Sequence, residues 1–208
     1  MMNNFNNPSN MNNVNIINIM NINNFNMANN NMKLQKLNNN IVDIYDCFNF
    51  NQKVDKFVGK DQIYCNYCQC LTDANYMTYL TTSPKILILL LNRGVGIQFK
   101  IKLEFTTELD ISPYVILGNT SRKYQLIGVI THLGESGASG HFIAHCLSPA
   151  DKKWYTYNDD IVSECVDFKK NIIDLGMPYL LFYQRSDTIN VQNNNNIQNN
   201  NVNNIQGK

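Results

Sequence analysis

A histidine and an asparagine stand near the two ends of a stretch of sequence that is typical of a β-hairpin. The stretch is GHFIAHCLSPADKKWYTYND, residues 140–159, and the two residues are His141 and Asn158. When a carboxamide oxygen holds one N–H of an imidazole, the tautomer is fixed and the other nitrogen can take a proton from a nucleophile. The residue types therefore predict a general base and the partner that orients it, provided that the hairpin brings them together.

The turn of this hairpin decides whether the two side chains meet. A turn centred on Pro149 and Ala150 places His141 directly opposite Asn158, with Cβ atoms about 4.5–5.5 Å apart. A slip of one residue would move the two side chains to opposite faces of the sheet. The alternative interpretation is an ordinary hairpin that carries a polar pair at its rim.

Asparagine dominates both ends of the 208-residue chain. It accounts for 19 of the first 40 residues and is again frequent from Asn190 onwards. Segments of this composition bury too little apolar surface to offset the entropy lost on ordering. We therefore predict Asn-rich disordered tails at residues 1–40 and 190–208, and one domain with its own core at residues 41–189.

Charge and hydropathy argue against several classes of partner. Only 16% of the residues are charged and the net charge is +1, so no basic field is available to hold nucleic acid. No secretion signal is visible, and the apolar run at residues 86–91 is too short to cross a bilayer. We expect an intracellular protein of the cytoplasm or nucleus, with no membrane partner. Its six cysteines are then expected to be thiols or metal ligands rather than disulfides.

The remaining pattern predicts a mainly antiparallel sheet that follows one helix. IVDIYDCFNF, residues 41–50, has apolar residues at helical spacing and predicts a short amphipathic helix. The strand-like runs that follow are QIYCNYC, ANYMTYL, PKILILLL, FKIKLEF, YQLIGVITHL, the two arms of the hairpin and PYLLFYQR. Their connections are short, which favours antiparallel pairing. The apolar run at residues 86–91 predicts a central strand that is buried on both faces.

Taken together, these motifs resemble the ubiquitin-specific protease family of deubiquitinases, which are papain-like cysteine proteases. YQLIGVITHLGESGASGHFIAH and WYTYNDDIVSEC resemble the family's histidine box, while IYDCFNF, YCNYC and SPKILILLLNR resemble its palm helix, zinc knuckle and long strand. The resemblance covers about residues 41–186. It implies an α+β, papain-like fold with the palm, partial fingers and no thumb, in which the sheet is mainly antiparallel. It also implies thiol-dependent hydrolysis after the C-terminal glycine of ubiquitin, with ubiquitin or a ubiquitinated protein as partner.

The resemblance gives roles to three residues and leaves one role unfilled. It makes His141 the general base, Asn158 the residue that orients it, and Asp159 an acidic residue that assists polar stabilisation of the site. The family's nucleophile lies in an N-terminal cysteine box that starts a helix, but the corresponding stretch here is Asn-rich, and none of the six cysteines has that context. A truncated gene model, a fragment completed by a Cys-box-bearing segment, a ubiquitin-binding pseudoenzyme and a decayed copy all remain open.

The resemblance to the zinc knuckle is also incomplete. Cys65 and Cys68 form half of a tetrahedral zinc site, which normally needs four ligands. The family's other cysteine pair lies upstream and is missing here, and Cys70 is too close along the chain to complete the coordination. We therefore predict free thiols and no cofactor, although a full-length relative could bind zinc.

Two further motifs are interpreted as loops. LGNTS, residues 117–121, resembles a nucleophile box with serine in place of cysteine, but a strand follows it rather than a helix. GESGASGH lacks the helix N-terminus that a phosphate loop needs. The resemblance instead suggests a mobile loop beside the channel for the ubiquitin tail, where Gly140 lets the backbone approach closely. His132 and His145 are expected to be structural.

Overall fold

The computed structural model describes residues 14–18, 41–93, 101–118, 120–136 and 139–188. The first strands along the chain are β1 (Val14–Asn18), β2 (Ile41–Asp43), β3 (Asp55–Phe57), β4 (Ile63–Cys65), β5 (Cys70–Thr72), β6 (Ala74–Tyr76) and β7 (Ile86–Leu90). They are followed by β8 (Lys102–Glu104), β9 (Glu108–Asp110), β10 (Lys123–Ser136), β11 (Ser139–Leu147), β12 (Trp154–Asn158), β13 (Ile161–Glu164) and β14 (Met177–Arg185). Helix α1 spans Ile44–Asn51, and short helical turns lie at Gly59–Asp61, Ser112–Tyr114 and Lys169–Ile173. Apart from β1, the predicted tails lie outside the described residues, as do parts of the LGNTS and GESGASGH loops.

Within the described part of the chain, eight strands form one large sheet. Its order is β1-β7-β14-β10-β11-β12-β13, and β9 also pairs with β10. The β1–β7 pair is parallel and the other pairs are antiparallel, so the expected mainly antiparallel sheet is present. Strand β1 lies within the Asn-rich segment 1–40, whose assignment as a disordered tail stays a prediction.

One face of the large sheet packs against α1 and forms the core. Asp43 caps the helix, because its Oδ1 accepts a hydrogen bond from the backbone N–H of Tyr45 at 2.7 Å. The helix then buries Ile44, Cys47 and Phe48. The helix predicted from residue 41 begins three residues later, because residues 41–43 form β2 and pair with β8. The amphipathic helix is therefore present but shorter than predicted.

The opposite face of the sheet is only partly covered by the described residues. Leu87 and Leu89 of β7 are fully buried, whereas Ile86, Ile88 and Leu90 are half-buried. The sequence predicts burial of this strand on both faces, and the structure corrects that prediction. Cross-strand pairing extends the half-buried row into an apolar surface, here called the outer face, which comprises Ile88, Leu90, Leu180, Phe182, Ile130, Ala144 and Phe142.

Two small hairpin-like sheets stand apart from the large sheet in the strand pairing. Strand β3 pairs with β6, and β4 pairs with β5, in both cases antiparallel. Several large apolar side chains on them are exposed, and Tyr67 at the tip of the β4–β5 hairpin is 95% exposed. The β4–β5 hairpin contains the YCNYC motif that resembles the family's zinc knuckle.

Candidate active site

The β11–β12 hairpin pairs in a register that differs from the predicted one. Leu147 lies opposite Trp154 and His145 lies opposite Thr156, so each residue is paired two positions further along than predicted. The predicted two-residue turn requires a positive φ at Pro149, which the proline ring forbids. The chain instead closes a longer loop in which Lys152 takes the positive φ of 61°.

The shift of two residues leaves the two candidate catalytic side chains on the same face. Side chains alternate with a period of two, so an even shift preserves the face. His141 and Asn158 become diagonal neighbours, and the imidazole Nε2 lies 2.6 Å from the carboxamide Oδ1. With Nε2–H as the donor, Nδ1 carries the free lone pair. The structure thus brings together the pair that the sequence singled out, through a register that the sequence analysis did not predict.

Asp159 lies next to this pair, in the turn between β12 and β13. Its Oδ2 is 3.8 Å from Nε2 of His141, and the two side chains are 77% and 44% exposed, respectively. Asp159 adopts a positive φ of 52°, a conformation that aspartate tolerates in turns. A carboxylate this exposed interacts weakly through solvent, so it adds to the local field without fixing the ring.

Gly140 holds the backbone of the candidate base against a buried imidazole. A Cβ built at Gly140 would overlap Nε2 of His132 and would lie 2.5 Å from the carbonyl oxygen of Leu133. The ring of His132 is buried and packs edge-on against Phe142, with ring centroids 4.8 Å apart. This close packing against His132 and Leu133 leaves no space for a side chain at position 140.

Replacing Gly140 by alanine should displace the candidate base. Because the added methyl group would meet backbone and a buried ring, we expect the hydrogen bond between His141 and Asn158 to break, with a stability loss of about 1–3 kcal/mol. The Nε2–H proton of His141, observed by NMR, should disappear through solvent exchange. The control is Gly128→Ala on β10, whose Cβ would meet no atom closer than 3.5 Å. If the proton signal survives Gly140→Ala, the glycine does not position the base.

A cavity of about 760 Å³ lies beside the His141 end of the large sheet. Leu133, the cross-strand partner of His141, lines it together with Gly134. The other lining residues are Ile41, Asp43, Lys102–Thr106, Lys169 and Ile173–Pro178. Neither His141 nor Asn158 lines the cavity, and His141 borders it only through its cross-strand partner Leu133.

A second histidine, His145, lies deeper on the same face and contacts a hydroxyl group that in turn contacts a thiol. The sequence analysis missed this group. Nδ1 of His145 is 3.0 Å from Oγ1 of Thr156, which in turn is 2.9 Å from Sγ of Cys165. His145 is fully buried, and burial lowers its pKa to about 4. Its imidazole is therefore neutral near pH 7, which fits the structural role expected for it. The missed signal is that Thr156 shares the face of Asn158, two residues away.

The cysteines of the predicted half zinc site lie in the β4–β5 hairpin. Three donors, the backbone N–H of Cys68, that of Tyr67 and the Cys68 thiol, hold the pKa of the Cys65 thiol below its usual value. Cys70 lies across the strand pair from Cys65. Among the described residues, no three His, Cys, Asp or Glu side chains are arranged to hold a metal ion, and the sequence has no cysteine before Cys47. The residues present do not fit a tetrahedral zinc site.

Comparison with known proteins identifies the family. The sequence model for "Ubiquitin carboxyl-terminal hydrolase" matches residues 6–183. The chain belongs to the ubiquitin carboxyl-terminal hydrolase family. Membership supports a papain-like α+β fold for this ubiquitin-specific protease domain, in keeping with its mainly antiparallel sheet. The match begins inside the Asn-rich segment 1–40, so the domain boundary predicted at residue 41 remains a prediction.

Several curated hydrolases of this family are similar to the chain. Ubiquitin carboxyl-terminal hydrolase 48 of Rattus norvegicus is 32% identical over 126 residues, which are 57% of this chain and 12% of that protein. Ubiquitin carboxyl-terminal hydrolases 12 and 10 of Saccharomyces cerevisiae are 33% and 30% identical, over 74% and 65% of this chain and 13% and 18% of their own lengths. The chain therefore spans less than a fifth of each of these hydrolases. None of the helices in the described ranges has the length and hydropathy of a membrane span.

Proposed function

We propose that this chain carries the histidine side of a ubiquitin carboxyl-terminal hydrolase active site. The observation that supports this proposal is the 2.6 Å contact between Nε2 of His141 and Oδ1 of Asn158. The reaction would be thiol-dependent hydrolysis of the bond after the C-terminal glycine of ubiquitin. The partner would be ubiquitin or a ubiquitinated protein.

In the proposed mechanism each residue has one task. Asn158 accepts the Nε2–H hydrogen bond and thereby keeps Nδ1 of His141 deprotonated and correctly aimed. His141, which is half-exposed, takes the proton of the attacking thiol through Nδ1. It returns that proton to the leaving amine, and the resulting thioester is then hydrolysed by water. Asp159 favours the imidazolium that forms transiently, because its carboxylate lies 3.8 Å from the ring nitrogen.

The proposed nucleophile comes from a separate Cys-box-bearing segment. The cysteines near the sheet are not placed to act as this nucleophile. Cys47 is fully buried in α1, and Cys165 contacts the Thr156 hydroxyl. Cys146 lies an odd number of residues from His141 on β11, so its side chain points to the opposite face of the sheet. The three other cysteines lie in the β4–β5 hairpin. We propose that an amphipathic helix carrying the thiol at its N-terminus packs apolar side chains into the 760 Å³ cavity, whose lining includes Phe105, Leu133 and Met177.

The first test is an assay of the purified chain alone. A ubiquitin C-terminal amide with a fluorescent leaving group should not be cleaved, because a triad without its nucleophile keeps only residual catalysis. The control is the same chain with His141→Ala, which should give the same background rate. Turnover that survives His141→Ala but disappears with one Cys→Ser substitution would show that the chain contains a nucleophile and would contradict the assignment.

A second candidate function is ubiquitin binding without catalysis. The observation that favours it is the exposure of three large apolar side chains on the β4–β5 hairpin, which are the cross-strand partners Tyr64 and Leu71, and Tyr67 at the tip. Exposed apolar patches often mark sites of protein–protein interaction. The same sample distinguishes the two functions, since a binding module shifts ubiquitin resonances in an NMR titration yet stays inactive when a Cys-box segment is added.

A further inference from the structure

The tip of the β4–β5 hairpin carries three thiols that the proposed hydrolase chemistry does not use. Cys65 ends β4, Cys70 begins β5, and Cys68 lies in the turn between them. Cys68 and Cys70 are exposed and Cys65 is half-exposed. These residues do not fit the tetrahedral zinc site of the family, but neighbouring thiols can undergo another reaction.

The turn between β4 and β5 brings the backbone of Cys68 close to the side chain of Cys65. The backbone N–H of Cys68 donates a hydrogen bond to the Cys65 sulfur at 3.4 Å. Gln69 closes the turn, since its N–H donates to the carbonyl oxygen of Cys65 at 2.8 Å and its φ is 56°. Its side-chain amide also donates to the carbonyl oxygen of Asn66 at 2.6 Å. The two cysteines thus belong to one short, well-defined loop.

Geometry distinguishes the two thiols that could pair with Cys65. Cys70 is its cross-strand partner, and the Cβ atoms of such partners are about 4.5–5.5 Å apart, which is wider than the roughly 3.8 Å typical of a disulfide. The turn, in contrast, holds the backbone N–H of Cys68 3.4 Å from the Cys65 sulfur. The two thiols can therefore meet by side-chain rotation, without a shift between the strands.

We propose that Cys65 and Cys68 form a reversible dithiol–disulfide pair, a redox-modification site in place of the family's zinc site. The co-reactant is a small-molecule disulfide of the glutathione class. The Cys65 thiolate attacks one of its sulfurs, the S–S bond breaks, and one small thiolate leaves with the bonding electrons. Cys68, as thiolate, then attacks the Cys65 sulfur of the mixed disulfide and expels the second small thiolate. The protein is oxidised by two electrons, and the two protons it releases convert the small thiolates to thiols.

Closure of this disulfide acts on an exposed surface. Tyr67 lies between the two cysteines, and Tyr64 and Leu71 flank them on β4 and β5, all largely exposed. A bond between Cys65 and Cys68 fixes the turn that presents Tyr67. The redox state of the pair therefore controls how this part of the hairpin is displayed to a partner.

The proposal is tested by equilibrating the full chain in buffers with different ratios of oxidised to reduced glutathione. Samples are quenched with acid, denatured, alkylated and analysed by mass spectrometry. Two of the six cysteines should become protected from alkylation together, and peptide mapping should show that the disulfide joins Cys65 to Cys68. Cys70→Ser should leave this bond unchanged. Cys68→Ser should instead trap a glutathione adduct on Cys65, and the exposed thiol Cys146 should remain free of any intramolecular bond.

Two results would overturn the proposal. One is a bond mapped to Cys70, or the absence of any intramolecular bond at every glutathione ratio. The other is binding of one cobalt(II) ion per chain with the intense thiolate-to-metal absorption of a tetrathiolate site, because cobalt(II) reports zinc-type coordination directly. Neither readout depends on hydrolase activity, so failure of this proposal is distinct from failure of the proposed catalytic function.

Discussion

Adding a cysteine-bearing thumb segment from a related hydrolase should turn this chain into an active ubiquitin hydrolase that depends on His141. In the complemented protein, His141→Ala should lower kcat by about 10⁴- to 10⁶-fold, the range seen when one member of a catalytic triad is removed. The physical reason is that Nδ1 of His141 is the proposed proton acceptor for the thiol. Asn158→Ala should cause a smaller loss, because the ring remains but its tautomer and orientation are no longer held.

The measurement is release of a fluorescent amine from a ubiquitin C-terminal amide, with purified chain and segment mixed at known concentrations. Asn75→Ala, at an exposed asparagine in the small sheet of β3 and β6, is the control for Asn158→Ala and should leave kcat unchanged. The segment should also raise the melting temperature, since a partner present at one hundred times its Kd stabilises the fold by about 2.7 kcal/mol. Such binding would cover the cavity beside Leu133.

Three outcomes would contradict this prediction in different ways. If the segment binds and raises the melting temperature but no amine is released, the cavity receives the segment while His141 does not act as the base. If the chain binds ubiquitin, melts cooperatively alone and ignores the segment, a self-sufficient binding module explains the protein better. Activity that persists in His141→Ala would assign the proton transfer to another residue.

The contact between His141 and Asn158 could be predicted from sequence because the prediction tolerated an error in the register. Pro149 at the first turn position excludes the two-residue turn, and this could have been read from the sequence, since a proline φ is fixed near −65°. The resulting shift of two residues preserves the face of each side chain. An error of one residue would have separated His141 from Asn158 and removed the site from the prediction.

Features that depend on long-range pairing could not be predicted in the same way. Strand β1 pairs in parallel with β7, although composition alone argues for disorder in this Asn-rich segment. The half-buried face of β7 shows the same limit, because a run of Ile and Leu does not reveal how fully each face is covered. A local signal such as the Asp43 cap of α1 is readable because neighbouring residues determine it.

Acid should destabilise the folded chain through His145, and this is the second large effect that we expect. Burial lowers the pKa of His145 from 6.5 to about 4 in the folded protein. Between these values the unfolded chain binds a proton that the folded chain does not, so stability is complete above about pH 6.5 and falls as the pH drops towards 4. A pKa difference of this size corresponds to a loss of roughly 3 kcal/mol from this one group.

Urea unfolding between pH 4 and 7 measures this loss as a slope of the unfolding free energy against pH. His145→Gln should reduce the slope, because glutamine does not titrate, even if it also lowers stability at neutral pH. Thr156→Val is the informative control, because it removes the 3.0 Å contact with Nδ1 but keeps the histidine buried. Since burial causes the shift, the slope should survive in this variant. A slope that His145→Gln leaves unchanged would assign the acid sensitivity to carboxylates, and one that Thr156→Val abolishes would assign the shift to the hydroxyl contact.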